Sequence, residues 1–160
     1  MKKLSKLPLL FLIVLLVSAC QRNITRNGDG SLVVTTSITQ QELQEDITSS
    51  IADPLVKNVT VSLQTGYVLV SGERQRLNDA SKTDSLTFRL DLSVSNGQLV
   101  ASVTDAKLDN IAIEQNRVDH WNQTIANRLS NIGGRSENST LQSISITPES
   151  VTMTWNVAKQ

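Results

Sequence analysis

"LTFRLDLSVSNGQLVASV", residues 86–103, sets apolar against polar side chains with a period of two. Leu86, Phe88, Leu90, Leu92 and Val94 point one way and Thr87, Arg89, Asp91 and Ser93 the other, because successive side chains of an extended strand alternate between faces. Asn96-Gly97 then supplies the dipeptide that a type I′ hairpin prefers, since both central residues must take positive φ. Leu99, Ala101 and Val103 answer on the returning strand. The stretch therefore predicts an antiparallel sheet with one wet face and one apolar face that needs a cover.

Outward from this hairpin the same period recurs. Val59, Val61 and Leu63 alternate before the turn "QTG", Tyr67 to Val70 runs on as a more apolar strand, and "ERQRLNDASKTD" reads as a polar loop. Near the C-terminus, "LQSISITPESVTMTWNV" places Ile144 and Ile146 before a turn at Pro148, with Val151, Met153, Trp155 and Val157 after it. The cover comes from two amphipathic helices. In "SITQQELQEDITSSIADP" Thr39 and Glu42 have capping-box spacing and Ile38 is placed to staple to Leu43. Leu43, Ile47 and Ile51 share one helical face until Asp53-Pro54 ends the element. A second helix is predicted from about Ile113 to Ile132, striped by Val118, Trp121, Ile125, Leu129 and Ile132 and stopped by Gly133-Gly134. The expected fold class is α+β: a curved antiparallel sheet wrapped around two amphipathic helices on a single side.

The N-terminus follows different rules. Lys2, Lys3 and Lys6 precede an aliphatic run from Leu7 to Val17 and the small residues Ser18 and Ala19, the anatomy of a secretory signal. That run is short of the roughly 20 apolar residues that span a bilayer. Val17-Ser18-Ala19-Cys20 resembles the lipobox of bacterial lipoproteins at all four positions. The resemblance implies cleavage before Cys20, a diacylglycerol on its thiol, and a chain exported and lipid-anchored to the cell membrane or outer membrane, with its domain on the extracytoplasmic side. Gln21 is not the aspartate associated with inner-membrane retention. With no second cysteine, an intramolecular disulfide is impossible. The expected plan is a signal peptide over 1–19, an acylated cysteine and flexible polar tether over 20–31 ("QRNITRNGDGS" after Cys20), and a single domain over 32–160.

Three lysines leave with the signal, so a balance of 15 basic and 15 acidic residues tips to −3. Nucleic-acid binding would call for a basic stripe instead. His120, the sole histidine, has Asn116, Arg117, Gln123 and Thr124 as helical neighbours and no carboxylate to orient its ring, so it reads as solvated. Asp105 and Asp109, in "TDAKLDN", lack the oxygen-rich loop of a calcium site and read as strand-end and turn residues. "NGDG" lacks the lysine and hydroxyl of a P-loop, and the sequons at Asn23, Asn58, Asn122 and Asn138 are read as coincidence beside a lipobox. Neither a catalytic constellation nor a metal or cofactor site is expected, and the chain is read as non-enzymatic.

The order of elements, including "GYVLVSGERQRL", the Asn-Gly turn, "TDAKLDNIAI" leading into a helix and the closing hairpin, resembles the LmeA-like phospholipid-binding proteins and related lipoproteins. These share a half-module of the tubular lipid-binding (TULIP-like) fold. The resemblance covers about Leu32 to Val157 and departs at Asp109–Ile113, which lacks the glycine and proline that often mark that turn. It implies a curved sheet with an apolar groove for an acyl chain and a phospholipid ligand. Leu43, Ile47, Phe88, Leu90, Leu92, Trp121, Ile125 and Trp155, with Leu86, are the residues placed to line such a groove; they fill a sealed core equally well. The function expected is a lipid-anchored envelope protein that binds a lipid or other apolar ligand at the membrane surface; the alternative is a closed interaction module of an envelope complex.

Overall fold

The computed structural model describes residues 21–132 and 136–159, so the segment expected as a signal peptide and Cys20 lie outside it. Along the chain the elements are β1 (Gln21–Arg26), β2 (Leu32–Thr39), α1 (Gln40–Ile51), β3 (Val56–Gln64), β4 (Tyr67–Gln75), β5 (Thr83–Ser95), β6 (Gln98–Leu108), β7 (Ile111–Ala112), α2 (Gln115–Ile132), β8 (Ser139–Ile146) and β9 (Ser150–Val157). All strand pairs are antiparallel, in a five-stranded sheet ordered β3-β4-β5-β6-β7 and a four-stranded sheet ordered β1-β2-β9-β8. The α+β class is as expected, but there are two sheets where one was expected. The closing hairpin β8–β9 pairs with β2, a long-range choice that no turn sequence records.

The β5–β6 hairpin forms as its alternation dictates. Leu90 pairs with Val103 and Ser95 with Gln98, and Asn96 and Gly97 take φ of 51° and 70°. The ladder slips between Thr87 and Arg89, where Asp105 adopts φ 52°. This bulge resets the parity, so that Ala106 is buried and Lys107 remains outside. Asp105 is thus a bulge residue within β6 and not at its end, while Asp109 is the turn residue expected, with φ 48°. Strand β4 extends to Gln75, well into the predicted polar loop, paired on both sides by β3 and β5.

Helix α1 opens with the capping box: the Glu42 amide donates to Thr39 Oγ1 (3.3 Å) and the Thr39 amide to Glu42 Oε2 (2.8 Å). It closes at Ala52, which takes φ 50°. The second helix begins at Gln115, two residues later than expected, because the Ile113 amide is drawn to the Ala106 carbonyl (2.9 Å) beside β7. Both helices lie against the apolar face of the five-stranded sheet and seal its edges. On β3 the Val61 amide donates to Gln44 Oε1 of α1 (3.2 Å); on β6 the Val103 amide donates to Asn122 Oδ1 of α2 (2.6 Å). Amide side chains thus occupy backbone donors that would otherwise recruit a foreign strand.

The two sheets meet where hairpin tips abut β8. The Gly66 amide donates to the Ile146 carbonyl (3.0 Å), and the Leu141 amide to the Gly97 carbonyl (2.8 Å). One continuous core results, with Phe88 and Trp121 rings 5.5 Å apart and Trp155 among its largest fully buried side chains.

The segment 20–31, expected as a flexible tether, is ordered over its described part. β1 pairs with β2 from Gln21↔Ser37 to Arg26↔Leu32. Its described side chains, Arg22 to Arg26, are all exposed, so backbone hydrogen bonding to the β2 edge, which needs no side-chain burial, holds it. The following turn is closed by the Asn27 amide to the Ser31 carbonyl (2.9 Å), with Gly30 at φ 88°. Hydrogen bonds from the Ser31 hydroxyl and amide hold the Asp29 carboxyl below its ordinary range. Among the described residues, no helix is long and apolar enough to cross a membrane.

Candidate functional site

Leu43 and Ile47 of α1, Phe88, Leu90 and Leu92 of β5, Trp121 and Ile125 of α2 and Trp155 of β9 come together, and each is at most 8% exposed. They form one core cluster and not an open groove. Five surface clefts are described, and each is bordered by at most one of the eight. The physical reason is mutual cover: both helices and the second sheet supply apolar stripes to the same space, so each stripe is met by another.

The roomiest of these clefts, about 670 Å³, lies on the outer face of the five-stranded sheet. The outward alternates of β3, β4, β5 and β6 build it. Thr60, Ser62, Ser71 and Thr87 supply hydroxyls around Tyr67 and Leu69, and Arg89, Asp105 and Lys107 supply charge. Leu69 is 44% exposed and Tyr67 half-buried. The Arg89 guanidinium sits 4.1 Å from the centre of the Tyr67 ring and forks onto Asp91. Hydrogen bonds from Arg89 in turn hold the Asp91 carboxyl below its ordinary range. A cation already covers that aromatic face, so the cleft offers a lawn of hydroxyls, one exposed leucine and the Lys107 ammonium. The sequence marks this face as wet; the parity of "YVLV", with Val68 and Val70 inward, is the signal that sends Tyr67 and Leu69 outward together.

A second constellation gathers where α1 ends and α2 begins. Asp53 Oδ2 accepts from Arg74 of β4 (2.9 Å) and Arg117 of α2 (3.3 Å), while its Oδ1 accepts the Leu55 amide (3.0 Å). Burial raises the Asp53 pKa, but the Arg74 hydrogen bond, the Leu55 amide and the charges of Arg74 and Arg117 outweigh it, leaving the carboxyl below its ordinary value. Beside it Arg76 bridges Asp84 and Asp109, and the Ser85 amide donates to Asp109 Oδ1 (2.7 Å). The carboxylates here are matched by guanidinium groups, an arrangement that clasps elements together. His120 is exposed, as expected, and borders a cleft of about 390 Å³ with Asp53, Asn116 and Trp121. On α1, burial pushes the Asp46 carboxyl up, partly offset by Arg128.

A third cleft, about 500 Å³, opens between the Gly97 hairpin tip and the C-terminal half of α2 and is lined by Gln98, Asn127, Ser130, Asn131, Ser136, Glu137 and Ser139. Trp155 borders it, and its buried indole N–H has no hydrogen-bond partner among the described residues. Among the described residues, no group of three or more histidines, cysteines or acids is placed to hold a metal ion. Cys20, the expected lipidation site, lies outside the described residues. No protein-family model, curated protein or solved structure matches the chain.

Proposed function

We propose that the chain is a lipid-anchored envelope protein, non-enzymatic, that works as a closed interaction module on the extracytoplasmic side. The observation that favours this over carriage of an apolar ligand is the burial of Leu43, Ile47, Phe88, Leu90, Leu92, Trp121, Ile125 and Trp155 in one core. An acyl chain needs a lined cavity of about 300 Å³ or more with a predominantly apolar wall. The outer sheet face offers volume and apolar wall, but as an open cleft on the sheet surface that does not enclose a chain. The lipobox at Val17–Cys20 supports the anchor; two or three acyl chains at about 0.8 kcal/mol per buried CH₂ give stable attachment.

Intact and native mass spectrometry of the full chain, expressed in a bacterium and extracted in detergent, tests both halves. The expected mature mass begins at Cys20 and carries diacylglycerol, and the Cys20→Ser chain lacks that addition. No further lipid is expected to survive gentle removal of detergent. A stoichiometric non-covalent phospholipid would overturn the closed-module reading, and an unacylated wild-type chain would overturn the anchor.

A further inference from the structure

The first described strand starts at the residue that follows Cys20. On the anchored reading, on which this inference rests, the lipid attachment therefore sits one residue, about 3.8 Å of Cα spacing, from a sheet-bound residue. No slack is left for the domain to stand off the bilayer, and whatever surface surrounds β1 must meet lipid headgroups.

That surface has the chemistry to do so. Arg22, Ile24 and Arg26 lie on one face of β1, because alternate residues share a face. Their partners across the ladder are Thr36, Val34 and Leu32. All three are exposed, Ile24 at 61%, and no strand pairs with the outer edge of β1 among the described residues. The row thus reads cation, branched apolar, cation at a spacing of about 7 Å. Arg26 has no ion-pair partner among the described residues, and Arg22 makes a single 3.3 Å hydrogen bond to the Ile132 carbonyl, leaving other N–H groups available. The nearby Asp29 is engaged by Ser31, and Lys159 packs its stem against Gly30 in the turn that follows β1.

We propose that the β1 edge docks flat on an anionic phospholipid surface, with Arg22 and Arg26 on lipid phosphates and Ile24 entering the headgroup layer. Guanidinium suits this role through its forked donors, and an isoleucine between two cations adds apolar burial at the interface. Docked in this way, the domain has a fixed orientation, with β1 toward the membrane.

The test uses the acylated full chain in vesicles of phosphatidylcholine and phosphatidylglycerol in equal parts, and in phosphatidylcholine alone. The native thiol is occupied by the anchor, so Ile24→Cys provides one labelling site and Leu69→Cys, on the outer face of the five-stranded sheet, a reference. In mixed vesicles a fluorophore at position 24 is expected to be shielded from iodide and quenched by spin-labelled lipid, while one at position 69 stays open to iodide. Combining Arg22→Gln and Arg26→Gln is expected to lower the docked-to-undocked ratio about thirtyfold, the effect of two cations at an anionic surface. Equal iodide access at both positions in a chain whose mass shows the acyl groups overturns the docking while leaving the anchor intact. Shielding that persists in detergent without vesicles, the mark of a partner strand or second copy on β1, also overturns it. A mass without acyl groups removes the anchor, and the docking falls with it.

Discussion

Replacing Gly97 with alanine puts the joint between the two sheets to a quantitative test. Gly97 holds φ 70°, and a Cβ built there lies 2.3 Å from Thr140 Cγ2 on β8. The left-handed backbone costs an L-residue about 1–2 kcal/mol. Overpacking adds about 1–3 kcal/mol, because Thr140 is β-branched and stiff at χ1 and its backbone is tied into the β8–β9 ladder at Asn156. Reduced freedom of the unfolded chain returns about 0.4–1 kcal/mol. The net loss expected for Gly97→Ala is about 2–4 kcal/mol. Gly66 is the internal control: it caps the neighbouring hairpin at φ 88° and likewise bonds to β8, but a Cβ there meets nothing within 4 Å. Gly66→Ala should therefore cost only the backbone part, about 1 kcal/mol. Urea unfolding of the full chain, followed by the fluorescence of the buried Trp121 and Trp155, measures both, and Thr140→Ala combined with Gly97→Ala should recover most of the difference. Equal losses for the two glycines, or no recovery in the double variant, would refute the wedge.

Three further changes probe other joints. Asp53→Ala should cost about 2–4 kcal/mol, because it strands Arg74 and Arg117 and frees the Leu55 amide. Its folded pKa is below the ordinary 3.8, so its contribution is present above that value and lost as pH falls through the folded value; urea midpoints taken from neutral to strongly acid pH should show a flatter acid limb in Asp53→Asn. Thr39→Ala removes the N-cap of α1 and should cost about 1 kcal/mol, read as a shift in the thermal midpoint of about 3 °C. Asn122→Ala leaves the Val103 amide without its acceptor and should cost about 1–3 kcal/mol and raise light scattering on warming, whereas Gln123→Ala, exposed on the same helix, should do neither.

What the sequence made legible was local and periodic. The β5–β6 hairpin, the Thr39–Glu42 capping box, the stripe of α2 and the exposure of His120 all follow from spacings of a few residues, where side-chain alternation and capping chemistry act directly. Strand partnership was not legible. Nothing in "VTMTWNV" states that Met153 will face Thr36 across a ladder, because that pairing depends on which apolar faces remain uncovered once the local elements exist. The β1 strand escaped for a related reason: a polar segment carries no burial signal, and only the free edge of β2 gives it a place to bond. The eight apolar positions expected to line a groove come together in one core cluster, and spacing alone does not distinguish a lined groove from a filled core. The stripes of two helices and a second sheet meeting in one space decide that question. The Asp53 clasp joins residues far apart in the chain and leaves no local mark beyond the Asp-Pro that ends α1.

The same geometry narrows where this protein can act. On the five-stranded sheet, Gln44 and Asn122 bond to edge donors of β3 and β6, and the hairpin tips at Gly66 and Gly97 bond to the outer edge of β8. A fold that closes edges this way resists accidental strand addition, so an edge left open among its described strands stands out. That edge belongs to β1, the strand nearest Cys20, and it carries Arg22 and Arg26 in a stretch, residues 20–160, whose formal charge is negative. The Tyr67–Arg89 cleft lies on the other sheet, on the face away from the core. With β1 docked on the membrane as proposed, the cleft is carried by a sheet that has no strand pairing with β1's own.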